Sequence, residues 1–347
     1  MVTLEYGDNM NKKIIGSIIL VILTIVVFYF LVKDNYQEIF NSIINSNIYF
    51  LLLGFLLYIA YTILQAVPFY LFTKTHQHNI NFSFFIYLIV ATNFFNGITP
   101  LATGGQPLQV YELHKKKIST LDSTNIVIEN FIIFQFSIVL FGIIALFINT
   151  FFDLFVVSKV LLNLTIIGFI LNVILLLFIL LVAFKKDFVE GIIIFIINLL
   201  YKLKLVKNKT KQEEKWKKTC TEFYDNFQIL FKKKGILLIS TIALTVGLLA
   251  YYSIPLTIIH ALGITANINL ITTIVISSYV FLASSYLPIP GSTGGVEYAF
   301  IGYFSNYVFN YKVYSLLLVW RFITYYLPMI IGGIVFNIKS IKKSSKN

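Results

Sequence analysis

Charged residues are scarce in this chain. Only 12% of its 347 residues are Asp, Glu, Lys or Arg, while 58% are hydrophobic and 17% aromatic; an ordinary soluble domain carries about 25% charge, so a soluble globule is excluded. There is one cysteine, Cys220, which rules out an intrachain disulfide framework or a thiolate metal site. The histidines His76, His78, His114 and His260 have no spacing that would set metal ligands on one helix face. No Walker-type phosphate loop occurs, so ATP is not a direct energy source, and no metal or other cofactor is expected. Arginine is nearly absent as well: the chain has one, Arg321.

What is present is a series of apolar runs. Residues 14–32, 48–72, 125–150, 160–184, 236–262 and 314–336 are each long enough to cross a hydrocarbon layer of about 30 Å as a helix, and only a helix satisfies its own backbone there. The run at 14–32 follows Lys12 and Lys13, exceeds a signal core and has no small-residue cleavage site, so it reads as a first span. Two more apolar stretches, 83–113 and 270–310, are interrupted by Pro and Gly. The two arms of the first would measure about 24 Å and about 10 Å, too short for two crossings. Both stretches therefore read as re-entrant broken hairpins.

The net charge of +12 follows from orientation. With the N-terminus inside, all but Lys33, Lys159 and Lys312 of the lysines fall in cytoplasmic segments, as the positive-inside rule requires. The expected fold is an all-α polytopic membrane protein with six full transmembrane helices, two re-entrant hairpins and both termini cytoplasmic. It forms one membrane domain over 1–347, with a first half at 1–157 and a second at 158–347. An amphipathic insert at 186–234 lies on the cytoplasmic face, its second part placing Trp216, Cys220, Phe223, Phe227 and Leu230 along one side.

The halves repeat. Pro100-Leu-Ala-Thr103-Gly104-Gly105 and Pro290-Gly-Ser-Thr293-Gly294-Gly295 share Pro-x-x-Thr-Gly-Gly, and the flanking spans keep nearly the same offset. The charge topology inverts the second half relative to the first, an arrangement found in transporters, whose substrate site lies near the midplane where the breaks meet. Gly104, Gly105, Gly294 and Gly295 permit positive dihedrals and close approach. Thr103, Thr293, Gln106 and freed backbone amides at half-helix N-termini suit an anion such as a phosphate. Arg321, well inside the last span, costs about 2.5 to 3.5 kcal/mol on insertion scales. Its planar, always-charged fork suits phosphate or carboxylate. Glu129 and Glu297 are the candidate partners for it, with Glu112 a third. Gln65, Asn93, Asn96 and Gln135 read as interhelical hydrogen bonders.

The stretches 93–111, 287–297 and 320–328, with Gly332-Gly333 following, resemble the lysylphosphatidylglycerol synthase transmembrane family, the flippase-like region also found in the multiple peptide resistance factor. The resemblance covers nearly the whole chain. It implies a translocator of a phospholipid or another anionic lipid, such as a polyprenyl phosphate, between the leaflets of a bacterial-type plasma membrane. The alternative it implies is phosphatidylglycerol lysyltransferase activity, linked to resistance to cationic antimicrobial peptides. In two-part members of the family a soluble domain performs the lysyl transfer; no such domain is expected in this chain, so that activity would need a separately encoded synthase partner. The membrane is the expected setting and no nucleic acid partner is expected for this chain alone. The sequence is also compatible with a homo-oligomer.

Overall fold

The computed structural model describes residues 29, 33–156, 158–203 and 208–344, and these are helical with no strand among them. The predicted span at 14–32 lies outside the described residues. Five helical stretches are long and apolar enough to cross a membrane among those described: Ile48–Thr75, Thr120–Phe152, Lys159–Phe184, Lys234–Ala261 and Tyr311–Ile338. They match the other five expected spans. In chain order the elements are α1 (Tyr36–Ile44), α2 (Ile48–Thr75), α3 (Phe82–Ile98), α4 (Gly105–His114), α5 (Thr120–Phe152) and α6 (Lys159–Phe184). The insert follows as α7 (Lys186–Lys202) and α8 (Lys209–Lys232). Then come α9 (Lys234–Ala261), α10 (Leu270–Ser284), α11 (Gly295–Phe304), α12 (Tyr311–Arg321) and α13 (Leu327–Ser344).

The central pair is α2 and α9, each 28 residues long and each carrying an internal proline, Pro68 and Pro255. Their direction follows from their contacts. Gly54 faces Thr257, Gly247 faces Leu64, and the Asn47 amide donates to the Ala261 carbonyl at 2.7 Å, so the two run antiparallel. At the far end of α2, His76 meets Glu129 and Asp122 of α5, which makes α5 antiparallel to α2 as well. Hairpin α3–α4 thus leaves and returns at the end of α2. Hairpin α10–α11 follows the end of α9, on the opposite side. It leads into α12, which packs on α1 beside the start of α2. The two stretches broken by Pro and Gly form helical hairpins, one starting from each end of the α2–α9 pair.

Packing inside lipid reverses the usual soluble pattern. On α6 the large apolar residues Ile167, Ile170, Ile174 and Leu177 are exposed, whereas Thr165, Gly168 and Asn172 are buried. Lipid is as apolar as these side chains, so what draws helices together is close approach and hydrogen bonding. Gln135 of α5 donates to Asn172 at 2.5 Å, and Asn93 of α3 donates to the Tyr58 hydroxyl at 3.1 Å. Both residues bond between helices, as expected. Gly168 allows the closest approach: a Cβ there would lie 1.9 Å from the Leu282 carbonyl oxygen of α10.

The insert folds as the helical pair α7 and α8, and α8 packs against α2, α5, α6 and α9. Cys220 is buried while Trp216 is 45% exposed. Burial pushes the Cys220 thiol up from its ordinary pKa, with Glu190 adding to the effect, so the thiol is both shielded and poor in thiolate.

Two outcomes follow from this packing. Gly168→Ala forces backbone apart between α6 and α10 and should cost about 1 to 3 kcal/mol, read as a lower unfolding temperature in detergent. Gly191→Ala, with nothing within 4 Å of its Cβ, should leave it unchanged; equal effects would refute the close-approach account. Maleimide should label Cys220 slowly and Lys217→Cys, in a Cys220→Ser background, quickly. Labelling of Lys217→Cys by an impermeant reagent only in inverted vesicles would place the insert in the cytoplasm, and labelling in intact cells would overturn the orientation inferred from lysine distribution.

Candidate functional site

The two Pro-x-x-Thr-Gly-Gly segments form matching breaks. In each, a short 3-10 turn, Pro100–Ala102 or Pro290–Ser292, joins the two hairpin arms. Both turns place two consecutive residues in the left-handed region: Leu101 and Ala102 at φ 54° and 52°, Gly291 and Ser292 at 62° and 50°. In both, the Thr hydroxyl, of Thr103 or Thr293, donates to the Pro carbonyl three residues back at 3.0 Å. The turns touch each other in the middle of the bundle.

The amides at the breaks are paired internally. The Gly104 amide donates to the Thr99 hydroxyl and the Gly105 amide to Asn96 Oδ1, each at 2.9 Å. The Gly294 amide, at a residue with φ 90°, donates to Glu297 Oε2 at 2.6 Å. Buried N–H groups must find partners; Thr99 and Asn96 from the preceding arm and Glu297 from the following helix supply them. The Thr103 and Thr293 hydroxyls and these three amides thus hold the turns closed. Gly295 serves packing, since a Cβ there would meet Leu287 at 1.8 Å. Gln106 follows the first break, half-buried, beyond the cavity described next.

Arg321 is 4% exposed and Glu297 2%. Arg321 Nε donates to Glu297 Oε1 at 2.7 Å, Nη2 lies 2.6 Å from the same oxygen as an ion pair, and Nη2 donates to the Gly291 carbonyl at 3.1 Å. Among the described residues Nη1 has no hydrogen-bond partner. The guanidinium lies over the Tyr325 ring at 5.0 Å, and the Tyr325 hydroxyl donates to the Gly97 carbonyl of α3 at 2.9 Å. Immediately after Arg321 the helix widens into a π-helical turn, Phe322–Tyr326, a distortion often found at functional sites. Of the three carboxylates matched to Arg321 from the sequence, Glu297 is its partner. Glu129 is not: it pairs with His76 at 3.0 Å, and Glu112 pairs with Lys115 at 2.8 Å.

A cavity of about 230 Å³ opens at this junction. Arg321, Gly291 and Ser292 line it from the second half, Leu101 and Ala102 from the first, and α10 contributes Ser277, Ser284 and Ser285. The serines were not singled out from the sequence, although their spacing along an apolar helix sets all three toward one face. Each donates its proton to a backbone carbonyl: Tyr252, Val280 and Phe281 respectively. Their oxygens can still accept.

Comparison with known proteins gives the lineage. The profile of the lysylphosphatidylglycerol synthase TM region matches residues 14–332. The chain belongs to this family. A curated relative, the UPF0104 membrane protein of Archaeoglobus fulgidus, is 27% identical, with 94% of this chain and 97% of the relative covered.

The ion pair sets a prediction. Arg321→Ala strands the Glu297 carboxylate in a dry site and should cost about 3 to 5 kcal/mol of stability, measured by thermal unfolding in detergent. Arg321→Ala combined with Glu297→Gln, which leaves the Gly294 amide an acceptor, should recover much of it. No recovery would mean that the arginine stabilises through contacts other than the carboxylate.

Proposed function

We propose that this family member translocates an anionic lipid between membrane leaflets, with the headgroup phosphate at Arg321 and the tails in surrounding lipid. One observation carries the reading: the sole guanidinium of the chain stands in a cavity built from both inverted breaks, balanced by a carboxylate from one of them. Inverted repeats that meet at a midplane site are suited to opening alternately to each side. Arg321 keeps Nη1 available in the state described, and a phosphate can engage the fork bidentately as Glu297 yields part of it.

The lining bears on the headgroup. Serine oxygens that only accept favour a head with hydroxyl donors, such as glycerol, and no carboxylate lines the cavity among the described residues to hold a cationic group. A phospholipid of this kind fits better than a bare polyprenyl phosphate, which would leave the serine oxygens without donors. An apolar groove of about 440 Å³ between α3 and α13, bounded by Phe94, Met329 and Ile334, lies within a turn or so of Gly97 and offers a path for an acyl chain. The reading takes a bacterial-type plasma membrane as its setting, and the lysine distribution supports an orientation with both ends and the α7–α8 insert in the cytoplasm.

The test is leaflet exchange of labelled phosphatidylglycerol in proteoliposomes. Arg321→Lys keeps the charge but not the fork and should lower exchange at least about tenfold, the worth of roughly one charge-assisted hydrogen bond, while unfolding temperature stays close to wild type. Full exchange in folded Arg321→Lys would remove the headgroup role. The family's description as a synthase region favours a second reading, a membrane component of lysyl-lipid synthesis acting with a separate catalytic domain. New aminoacyl lipid formed from labelled lysine by cells carrying this chain alone would instead support enzymatic activity in the chain itself.

A further inference from the structure

A second buried polar cluster lies apart from the Arg321 cavity. Glu129 of α5 is fully buried, and His76, which caps the end of α2, has a side chain only 4% exposed. His76 Nε2 sits 3.0 and 3.2 Å from the two Glu129 oxygens. His76 Nδ1 lies 3.9 Å from Asp122, and Asp122 lies 3.6 Å from His78. Exposure rises along this row, to 26% at Asp122 and 30% at His78. The row therefore runs from a partly open pair inward to a carboxylate sealed from water.

We infer that the His76–Glu129 pair is a proton-binding site whose occupancy controls the movement of the first hairpin. This rests on the transport reading for its purpose, but the binding itself does not. Three observations carry it. The pair joins the chain just before hairpin α3–α4 to the chain just after it, so it is a clasp across the base of an element whose tip, Leu101 and Ala102, lines the cavity.

Next, Asn125 stands one turn from Glu129, between it and Asp122 on α5. It is fully buried, and neither atom of its amide has a hydrogen-bond partner among the described residues. A carboxyl that takes up a proton becomes a donor, and Asn125 Oδ1 is an acceptor available on the same face once His76 lets go.

Finally, the described residues of the second half hold no such carboxylate–histidine cluster. The repeat offset sets Val319 where Glu129 stands, and Val319 is a buried core residue. Apolar contact suffices at that position in the other repeat, and replacing buried charges with well-packed apolar groups is often neutral or stabilising. Stability alone thus does not account for the cluster. Histidine is the side chain that ordinarily changes charge near neutral pH. A proton entering past His78 and Asp122 and taken up by Glu129 removes the acceptor-only carboxylate that holds His76 Nε2 and supplies a donor that Asn125 Oδ1 can accept, weakening the clasp. The elements packed on α5 are α2, α4, α6, α8, α9 and α10. From these, the charged groups that bear on Glu129 are His76 from the end of α2 and Asp122 from α5 itself.

The experiment uses the full-length protein in phosphatidylglycerol proteoliposomes between about pH 5 and about pH 8. Two readouts need no transport: the infrared carboxyl C=O band, and the maleimide reactivity of Ala102→Cys in a Cys220→Ser background, corrected for the pH dependence of a free thiol. On acidification a carboxyl band should grow in wild type and be missing in Glu129→Gln, and reactivity at position 102 should change in wild type but stay flat in the variant. Lipid exchange should vary by up to about tenfold per pH unit for one controlling proton and lose that dependence in Glu129→Gln. His76→Asn should also flatten the profile, which covers the case in which Glu129→Gln does not fold. A band that never grows, or unaltered pH profiles in folded Glu129→Gln, would overturn the proposal and leave a structural pin. Absence of exchange by wild type at every pH would defeat the transport reading, with the band and the reactivity at position 102 still judging the proton site.

Discussion

A guanidinium buried between helices in lipid is costly unless the protein compensates it. Much of the bundle's centre is arranged by that need. Glu297, in the first turn of α11, supplies the charge and at the same time accepts the Gly294 amide, so one side chain satisfies both the buried cation and the backbone of the second break. Gly291 adds its carbonyl, which faces Arg321 from a turn whose two left-handed residues redirect the chain. The π turn after Arg321 leads to Tyr325, whose ring lies beside the guanidinium while its hydroxyl reaches across to the first half at Gly97. The cation thereby ties the second break to the last span and, through Tyr325, to the other repeat.

The two halves share a backbone plan and differ in chemistry. Both breaks use a Pro-initiated turn, paired left-handed residues and a Thr-to-Pro closure of the same length. Yet the residue that pairs a glycine amide is a neutral Asn96 in the first half and a charged Glu297 in the second. The first half in turn holds its carboxylate–histidine cluster at the base of the hairpin rather than at its tip. A common frame with different charges gives two similar hinges of which one carries a permanent cation site and the other a titratable clasp.

Much of the fold was legible because lipid leaves few choices. Span length, the Pro and Gly interruptions and the lysine distribution each report a constraint that acts locally, and the five described spans and both hairpins follow from them. The breaks themselves were legible through their repeat. What was not legible is which groups face one another. The repeat offset set Glu129 level with Val319, two residues before Arg321, but an internal repeat identifies equivalent positions in two halves, not neighbours. Glu297 is adjacent to Arg321 because α11 returns beside α12, and Glu129 is held by His76, whose position was weighed only for metal spacing. The Thr hydroxyls and glycine amides looked free for a ligand because sequence does not show that the Pro carbonyls accept the former and that Thr99, Asn96 and Glu297 accept the latter. Ser277, Ser284 and Ser285 went unremarked since single hydroxyls in apolar helices commonly bond their own backbone, as these do.

The distance between the two charged clusters is what lets them act as separate parts of one device. Arg321 cannot lose its charge in a protein, so its charge is constant with pH, and in the proposed transport an anion would compete with Glu297 for it. The His76–Glu129 pair is variable in charge but remote from the cavity. What lies between them is α4, a ten-residue helix about 15 Å long, running from the first break at Gly105 to His114, just short of α5. A short helix moves as a rigid body more readily than it bends. A change in the clasp at its base is therefore passed to Leu101 and Ala102 at its tip, where the cavity wall from the first half faces Arg321.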